Sequence, residues 1–403
     1  MTSRVVSWNP TDLWLRQKRV SLLAALRYFW KYDARTLPLG IDSLLSNLCA
    51  TDESRANAQV SNESLSMDVI SLRKKSGAAI VTVSKYVPNL LVSWLDQLSE
   101  RARQLLSTDS LLDPSRMHIF EFLSCVASAV DNAANRASFI GNVMASSLET
   151  LRRNDVTEAL SSVQNIMHFL GISQSASEQE SVINKDHVSA VTRRFAEVYS
   201  AFNQLLAVGR RCHEASIRRP SGGIPFQNLT NSSKRNWQNS RFPDEGPVSL
   251  NDLSQDNPFV PLWPQFFPSL LQAIAVTLEL WHPEIQFQLL QHPLQRYVYA
   301  ISDDEVFIFT KQDNLSTGGV FGKGGTAGNV VKGCDRRSMN LVPRWSGWLN
   351  ELRNVSFQLL GLAATQRVLY SADMSHLYPH LVGIVCNQKN LMSMEGRHMA
   401  QFL

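Results

Sequence analysis

The fold is decided by the stretch from Ser71 to Leu106, SLRKKSGAAIVTVSKYVPNLLVSWLDQLSERARQLL. In each half the apolar residues fall on one face of a helix. Before Pro88 they are Ile80, Val83 and Val87, and after it they are Leu91, Trp94, Leu95 and Leu98. Spacings of i, i+3, i+4 and i+7 are typical of amphipathic helices. Because Pro88 lies between the stripes, the stretch predicts two helices that meet at a short corner and pack antiparallel.

The same pattern recurs on both sides of this pair. Further helices are predicted over 13–32, 39–48, 113–130, 135–151, 155–170, 188–208, 266–281, 345–362 and 374–403. Pairs of helices that recur at roughly 40–47 residues have the period of HEAT or armadillo arrays, in which each pair must stack on its neighbours. The predicted fold class is therefore all-α, an α-α superhelix of HEAT/armadillo-like repeats. In the first helix, Leu15, Leu22, Leu23 and Leu26 are expected to share the buried face.

Three regions are predicted along the chain. Residues 1–217 and 264–403 are expected to be HEAT-like helical repeats, and 218–263, rich in Gly, Pro, Ser and Asn, is expected to be a long loop or linker. At about 297–344, YVYAISDDEVFIF favours a small hairpin, and STGGVFGKGGTAGNVV favours a glycine-rich insertion. The sequence stops within an apolar helical pattern, so we expect a piece of a longer solenoid.

Composition narrows the class of protein. The net charge of +4 argues only weakly for a polyanionic partner. The five cysteines are odd in number and form no CxxC pair, which favours neither a zinc site nor a disulfide framework and indicates a reducing compartment. The first residues are too polar for a signal peptide, and the apolar stretches are too short or too interrupted to span a bilayer. We expect no membrane association.

No segment of the sequence matches a motif of catalysis or of cofactor binding in full. The segment Gly322–Thr326 resembles a phosphate-binding loop, but a glycine follows Lys323 where that motif requires Ser or Thr. His376 and His380 have metal-ligand spacing, yet Pro379 breaks the helix that would align them. The acids Asp303 to Glu305 are typical of a solvated hairpin tip. We expect no enzyme, no metal site and no cofactor.

Basic residues are the stronger signal. Between Lys185 and Arg241 there are ten basic residues and three acidic ones. A basic stripe on a repeat protein is suited to follow a phosphate backbone, whereas a run of charges is also typical of a solvated helix face. Both interpretations stay open at the level of single residues.

Several long runs resemble the exportin-5 family, whose plant members are called HASTY. They are LRKKSGAAIVTVSKYVPNLLVSWLDQLSERARQLLSTDSLLDPSRMHIFEFLSCVASAV, NRASFIGNVMASSLETLRRNDVTEALSSVQNIMHFLGI, RRFAEVYSAFNQLLAVGRRC and NPFVPLWPQFFPSLLQAIAVTLELWHPEI. The likeness lies in order, spacing and helix content, and it extends from about Trp14 to the end. It implies a karyopherin-β nuclear export receptor built of HEAT repeats, of which this chain resembles the middle region.

The resemblance implies partners as well as a fold. A receptor of this family binds Ran in its GTP form, mainly through repeats missing from this chain, and carries double-stranded RNA hairpins such as microRNA precursors. It also contacts nucleoporins as it shuttles between nucleus and cytoplasm. Since the bases of an RNA duplex are hard to reach, such cargo is read through phosphates and shape. The residues expected to make salt-dependent phosphate contacts are Arg73, Lys74, Lys75, Arg193, Arg194, Arg210, Arg211, Arg218 and Arg219.

One alternative stays open. A HEAT-repeat scaffold or importin-type adaptor with protein cargo only would carry acidic or apolar inner surfaces, with its bases scattered outward.

Overall fold

A computed structural model describes residues 2–51, 66–108, 111, 113–171, 185–218, 249–280, 282–291 and 343–385. Within these ranges the chain is helical and contains no strand, which confirms the predicted all-α class. The α-helices are α1 (Thr2–Ser7), α2 (Leu13–Ala25), α3 (Leu37–Asn47), α4 (Met67–Tyr86), α5 (Pro88–Leu91), α6 (Leu95–Leu106), α7 (Asp113–Ala127), α8 (Ala133–Arg152), α9 (Asn154–Ala159), α10 (Val163–Leu170), α11 (Lys185–Arg218), α12 (Leu250–Asp256), α13 (Trp263–Leu280), α14 (Pro283–Gln291), α15 (Pro343–Thr365) and α16 (Tyr378–Val385).

The chain divides into two compact units. Unit 1 comprises Met1–Ala145 and Gln204–Leu262, and unit 2 comprises Ser146–Asn203 and Trp263–Leu403. Helix α12 lies inside the range predicted as a linker. The predicted hairpin and the glycine-rich insertion lie outside the described residues.

Helices α2 and α4 of unit 1 run parallel. Near their starts, Gln17 Nε2 of α2 donates a hydrogen bond to the Asp68 carbonyl of α4 at 3.3 Å. Near their ends, the ring of Tyr28, which follows α2 in a short 3₁₀ turn, lies 4.8 Å from the ring of Tyr86. The starts of the two helices are therefore adjacent, and so are their ends, as parallel packing requires.

Helices α4 and α7 repeat this arrangement. Gly77 lies against His118, and Ser84 hydrogen-bonds Cys125, so both pairs are separated by 41 positions. A constant offset in this direction requires parallel helices, and its length matches the period of an α-α repeat. Arg101 of α6 donates to Asp42 of α3 at 3.1 Å, which joins two of the intervening helices. Unit 1 thus packs as the predicted array of helix pairs.

One continuous apolar core runs from α1 to α7. Its buried members include Val20, Leu23, Leu26, Trp30, Leu37, Ile41, Leu44, Val69, Leu72, Ile80, Val83, Leu91, Ile119, Phe122 and Val126. Leu22, predicted to face this core, is instead exposed.

The predicted antiparallel packing at Pro88 is wrong. The chain changes direction by 102° between Met67–Tyr86 and Pro88–Leu106. Val87 leaves helical geometry, as residues before proline tend to, and α4 packs mainly against α2, α3 and α7. Apolar residues on several sides of α4 bury it among these neighbours. In the described residues no single helix is long and apolar enough to cross a membrane, and this bent pair meets that test only when its halves are joined.

The helix predicted over 155–170 is two helices, α9 and α10. The break comes at Ser162, whose extended backbone starts a new helix and whose hydroxyl accepts a hydrogen bond from the Asn165 amide at 3.1 Å. Gly171 ends α10 in the left-handed conformation (φ 76°), as predicted.

In unit 2, α13 and α15 pack together, and the start of α13 lies near the end of α15. Trp263 starts α13, and its Nε1 donates to Gln366 Oε1, just past the end of α15, at 2.8 Å. The ring of Phe266 lies 4.9 Å from the Trp263 ring and adds to the buried packing there.

Candidate nucleic-acid interface and charged cleft

Arg73 is a structural residue. Its side chain is 2% exposed, and its Nε and Nη2 both donate to the Ala50 carbonyl, at 2.9 and 2.7 Å. Burial lowers the pKa of its guanidinium. A buried side chain held to the backbone is poorly placed to meet a phosphate, so the structure favours a structural role for Arg73 over the predicted RNA contact.

The two lysines that follow face solvent. Lys74 is exposed, and Lys75 is exposed with its Nζ directed to Gln17 of α2. Three consecutive bases therefore divide between the core and the surface, because successive residues of a helix point about 100° apart.

The predicted pair on the first part of α11 belongs to unit 2. Arg193 is exposed. Arg194 is exposed too, but its Nη1 donates to the Phe169 carbonyl at 2.9 Å and so satisfies a carbonyl in the last turn of α10.

The predicted pair on the last part of α11 divides in the same way as Arg73 and Lys74. Arg210 is exposed, whereas Arg211 is half-buried between two carboxylates. Arg218 is exposed at the end of the helix. Arg219 lies outside the described residues.

Arg211 is the centre of an ion-pair network that joins α4, α7 and α11. Its Nη2 lies 2.6 Å from Glu121 Oε1 of α7, and its Nη1 lies 2.9 Å from Glu214 Oε1. Glu214 Oε2 also pairs with Lys85 Nζ of α4 at 2.8 Å. On the far side of Glu121, His118 Nδ1 lies 3.4 Å from Oε2. The positive charges of Lys85 and Arg211 balance the negative charges of Glu121 and Glu214.

The network shifts the pKa values of its members. Burial raises the pKa of Glu121, but the hydrogen bond from His118 and the charge of Arg211 outweigh it, so that pKa lies below its ordinary value. For Glu214, the partners Lys85 and Arg211 outweigh burial in the same way. Burial lowers the pKa of Arg211, and its two carboxylates more than restore it. All of these charges are therefore held in place by one another.

A cleft of about 260 Å³ opens beside the network. It is lined by Lys85, Pro88, Asn89, Cys125, Ser128, Ala129, Arg211, Glu214, Ala215 and Arg218. Burial raises the pKa of the Cys125 thiol to about 11, so this thiol is a poor nucleophile. Of the lining cations, Lys85 and Arg211 pair with carboxylates, and Arg218 is exposed at the end of α11.

Sequence reasoning missed a second basic surface at the start of the chain. Residues 1–36 contain seven basic and two acidic side chains, a larger excess per residue than in Lys185–Arg241. In the structure Lys18, Arg27 and Lys31 each lie over an aromatic ring. The signal was present as bases interleaved with Trp and Tyr.

The remaining motifs contribute no site. The glycine-rich loop and the acids at 303–305 lie outside the described residues. His376 lies in a 3₁₀ segment that ends at Leu377, and His380 lies in α16, so the break expected near Pro379 is present. In the ranges that the structure describes, no group of three or more His, Cys, Asp or Glu side chains is arranged to hold a metal ion.

Comparison with known proteins identifies the family. A model of the exportin-5 family matches residues 1–403, the whole chain. The chain belongs to the exportin-5 family. No curated protein sequence matches it. Membership of the exportin-5 family implies a nuclear export receptor that shuttles between nucleus and cytoplasm, and a transport receptor rather than an enzyme.

Proposed function

We propose that this chain is part of a Ran-GTP-dependent export receptor that holds double-stranded RNA hairpins, microRNA precursors among them, through exposed cations. The observation that carries the proposal is the family match over residues 1–403. Binding is non-catalytic: the cations approach phosphates of an RNA duplex and release counterions.

The described cations that support the proposal are the exposed ones, which are Lys74, Lys75, Arg193, Arg210 and Arg218. Two carboxylates of the basic region are engaged elsewhere, since Glu214 pairs with Lys85 and Glu197 with Arg153. Arg194 and Arg219 remain candidates, whereas the fixed contacts of Arg73 and Arg211 assign them to the fold.

The test is a titration of a short RNA hairpin with the 403-residue chain at several salt concentrations, with and without Ran-GTP, followed by fluorescence anisotropy. Affinity should fall linearly with salt on logarithmic axes, and Arg210→Ala should reduce the slope by about 1. The matched control is Arg103→Ala, which removes an exposed arginine that pairs with Glu100 on α6. If Arg210→Ala and Arg103→Ala leave the same slope as the unchanged chain, Arg210 makes no phosphate contact.

A scaffold with protein cargo only is the second candidate. It is favoured by the large exposed apolar side chains of unit 1, among them Trp14, Tyr28 and Phe29. Such residue types dominate protein–protein interfaces. If the chain binds the RNA hairpin no more tightly than it binds a neutral polymer at every salt concentration, this candidate is favoured.

A further inference from the structure

A surface on α2 and the turn after it combines aromatic rings with cations. Lys18 Nζ lies 5.0 Å from the centre of the Trp14 ring, and Lys31 Nζ lies 5.0 Å from the centre of the Tyr86 ring. Tyr28 packs edge-on against Tyr86. We call this set, completed by Leu22 on the same helix, the cation-aromatic surface: Trp14, Lys18, Leu22, Tyr28, Lys31 and Tyr86.

The apolar members of this surface are not needed for the core. Trp14 is 62% exposed and Leu22 is 42% exposed, while Leu23 of the same helix is fully buried. Trp14, Lys18 and Leu22 follow one another at i, i+4 and i+8, so they form one outward stripe along α2. Tryptophan and tyrosine are the residue types that carry most binding energy at protein interfaces.

Tyr28 of this surface is held in place by its neighbour Arg27. Arg27 Nη1 donates to the Ala24 carbonyl at 3.0 Å, and its Nη2 donates to the Tyr28 hydroxyl at 2.8 Å. The guanidinium carbon lies 4.3 Å from the centre of the Tyr28 ring. Side chains already ordered before binding lose little entropy when a partner docks.

The charge of the surface selects the partner. Residues 1–36 carry seven basic and two acidic side chains, which leaves a net positive charge in this part of the chain. Of the two acids, Asp12 caps α2 through the Leu15 amide and Asp33 accepts a hydrogen bond from Thr2. Lys18 and Lys31 are exposed beside their rings. A positive field next to a helical apolar stripe is complementary to carboxylates beside apolar side chains.

We propose that the cation-aromatic surface binds an acidic amphipathic helix of a partner protein. The apolar side chains of that helix pack on Trp14 and Leu22, and its carboxylates face Lys18 and Lys31. Stacking of a nucleobase on one of these rings is the alternative that a single-stranded RNA probe tests. The inference does not depend on whether the chain carries RNA.

The test uses the 403-residue chain and a fluorescent synthetic helix of about 20 residues, with leucines along one stripe and glutamates beside them. Its twin carries lysines in place of the glutamates, and a single-stranded RNA serves as the third probe. The acidic helix should bind, the basic twin should not, and Trp14→Ala or Leu22→Ala should weaken the acidic helix by about tenfold. Lys18→Glu with Lys31→Glu should exchange the preference between the two peptides.

The matched control is Tyr370→Ala, which removes a tyrosine of unit 2 that is as exposed as Tyr28 and should leave binding unchanged. All substituted side chains are at the surface, so circular dichroism and thermal melting should match the unchanged chain. Equal binding of both peptides, or acidic-helix binding that survives Trp14→Ala, would overturn the proposal. So would Trp14-dependent binding of the RNA in preference to the acidic helix, or Trp14-dependent self-association without peptide binding.

Discussion

Arg211 donates two hydrogen bonds to one oxygen of Glu121, from Nη2 at 2.6 Å and from Nε at 3.0 Å, across 90 positions of the chain. The same guanidinium bonds Glu214, whose other oxygen pairs with Lys85. Helices α4, α7 and α11 are thus joined through one ion-pair network with Arg211 at its centre. A residue first considered for RNA contact therefore holds successive layers of the repeat together.

Removing Arg211 should destabilise unit 1. Arg211→Met leaves Glu121 half-buried without its main cation, and breaking such a pair should lower the free energy of unfolding by about 3 kcal/mol. Urea denaturation measures this value, and Arg103→Ala, which breaks the exposed pair with Glu100, should cost at most about 1 kcal/mol. Equal losses in the two variants would show that the network contributes no more than a surface pair.

The network should make the stability of the chain depend on pH. Glu121 and Glu214 have folded-state pKa values below the ordinary 4.5, so their contribution is present above that value and is lost as the pH falls below it. We expect Glu121→Gln with Glu214→Gln to be less stable than the unchanged chain at pH 7. The difference should shrink as the pH is lowered through 4.5. Thermal melting over a pH series measures it, and a difference independent of pH would contradict the assignment.

Gly77 permits the close approach of α4 and α7. A Cβ at this position would lie 2.0 Å from His118 Cδ2 and 2.5 Å from Cγ, and His118 is held by Glu121. Gly77→Ala should therefore destabilise, although alanine itself favours a helix by about 0.5–1 kcal/mol.

Two comparisons test the cause. In a His118→Ala background, Gly77→Ala should become stabilising, because the clash is gone. Gly361→Ala, on α15, meets no atom within 4 Å and should stabilise by about 0.5–1 kcal/mol. A loss of stability at Gly77 that persists without His118 would point to another cause.

Replacing Arg73 should affect stability, whereas replacing Lys74 should affect RNA binding. Arg73→Met removes two charged hydrogen bonds to the Ala50 carbonyl and should cost about 1.5–3 kcal/mol of unfolding free energy. Lys74→Ala should stay within about 0.5 kcal/mol of the unchanged chain and should reduce the salt slope of hairpin binding by about 1. A salt slope that changes with Arg73→Met and not with Lys74→Ala would reverse these assignments.

Cys125 should resist alkylation in the folded chain. Burial raises its pKa from 9.0 to about 11, so the thiolate fraction at pH 8 is about a hundredfold lower than for an unperturbed thiol. Iodoacetamide labelling followed by peptide mass spectrometry should detect Cys125 modification only slowly until urea unfolds the chain. Rapid labelling in the native state would indicate that the cleft gives access to the thiol.

Local sequence signals predicted the helices well. The stripe of Ile80 and Val83 is buried, Asp113-Pro114 opens α7, and Gly171 closes α10. Such features depend on spacing and on backbone preferences within one turn. The direction of the chain after Pro88 was not predicted, because it depends on which neighbours bury α4.

Part of the division between core and surface cations could have been predicted. Arg73 is spaced with Val69, Ser76 and Ile80 on the buried stripe of α4, whereas Lys74 is not. For Arg211 the local signal was Glu214 at i+3, whereas its pairing with Glu121 could not be predicted because the two residues are 90 positions apart.

The sequence by itself determined that the chain is helical, that its helices come in pairs and that it resembles the exportin-5 family, because helical periodicity and family likeness are written along the chain. Only the tertiary structure decided which cations form contacts within the fold and which stay exposed. Burial and ion pairing depend on side chains that are brought together across dozens of positions, and the free energy of a charge depends on those neighbours and on the water that they exclude.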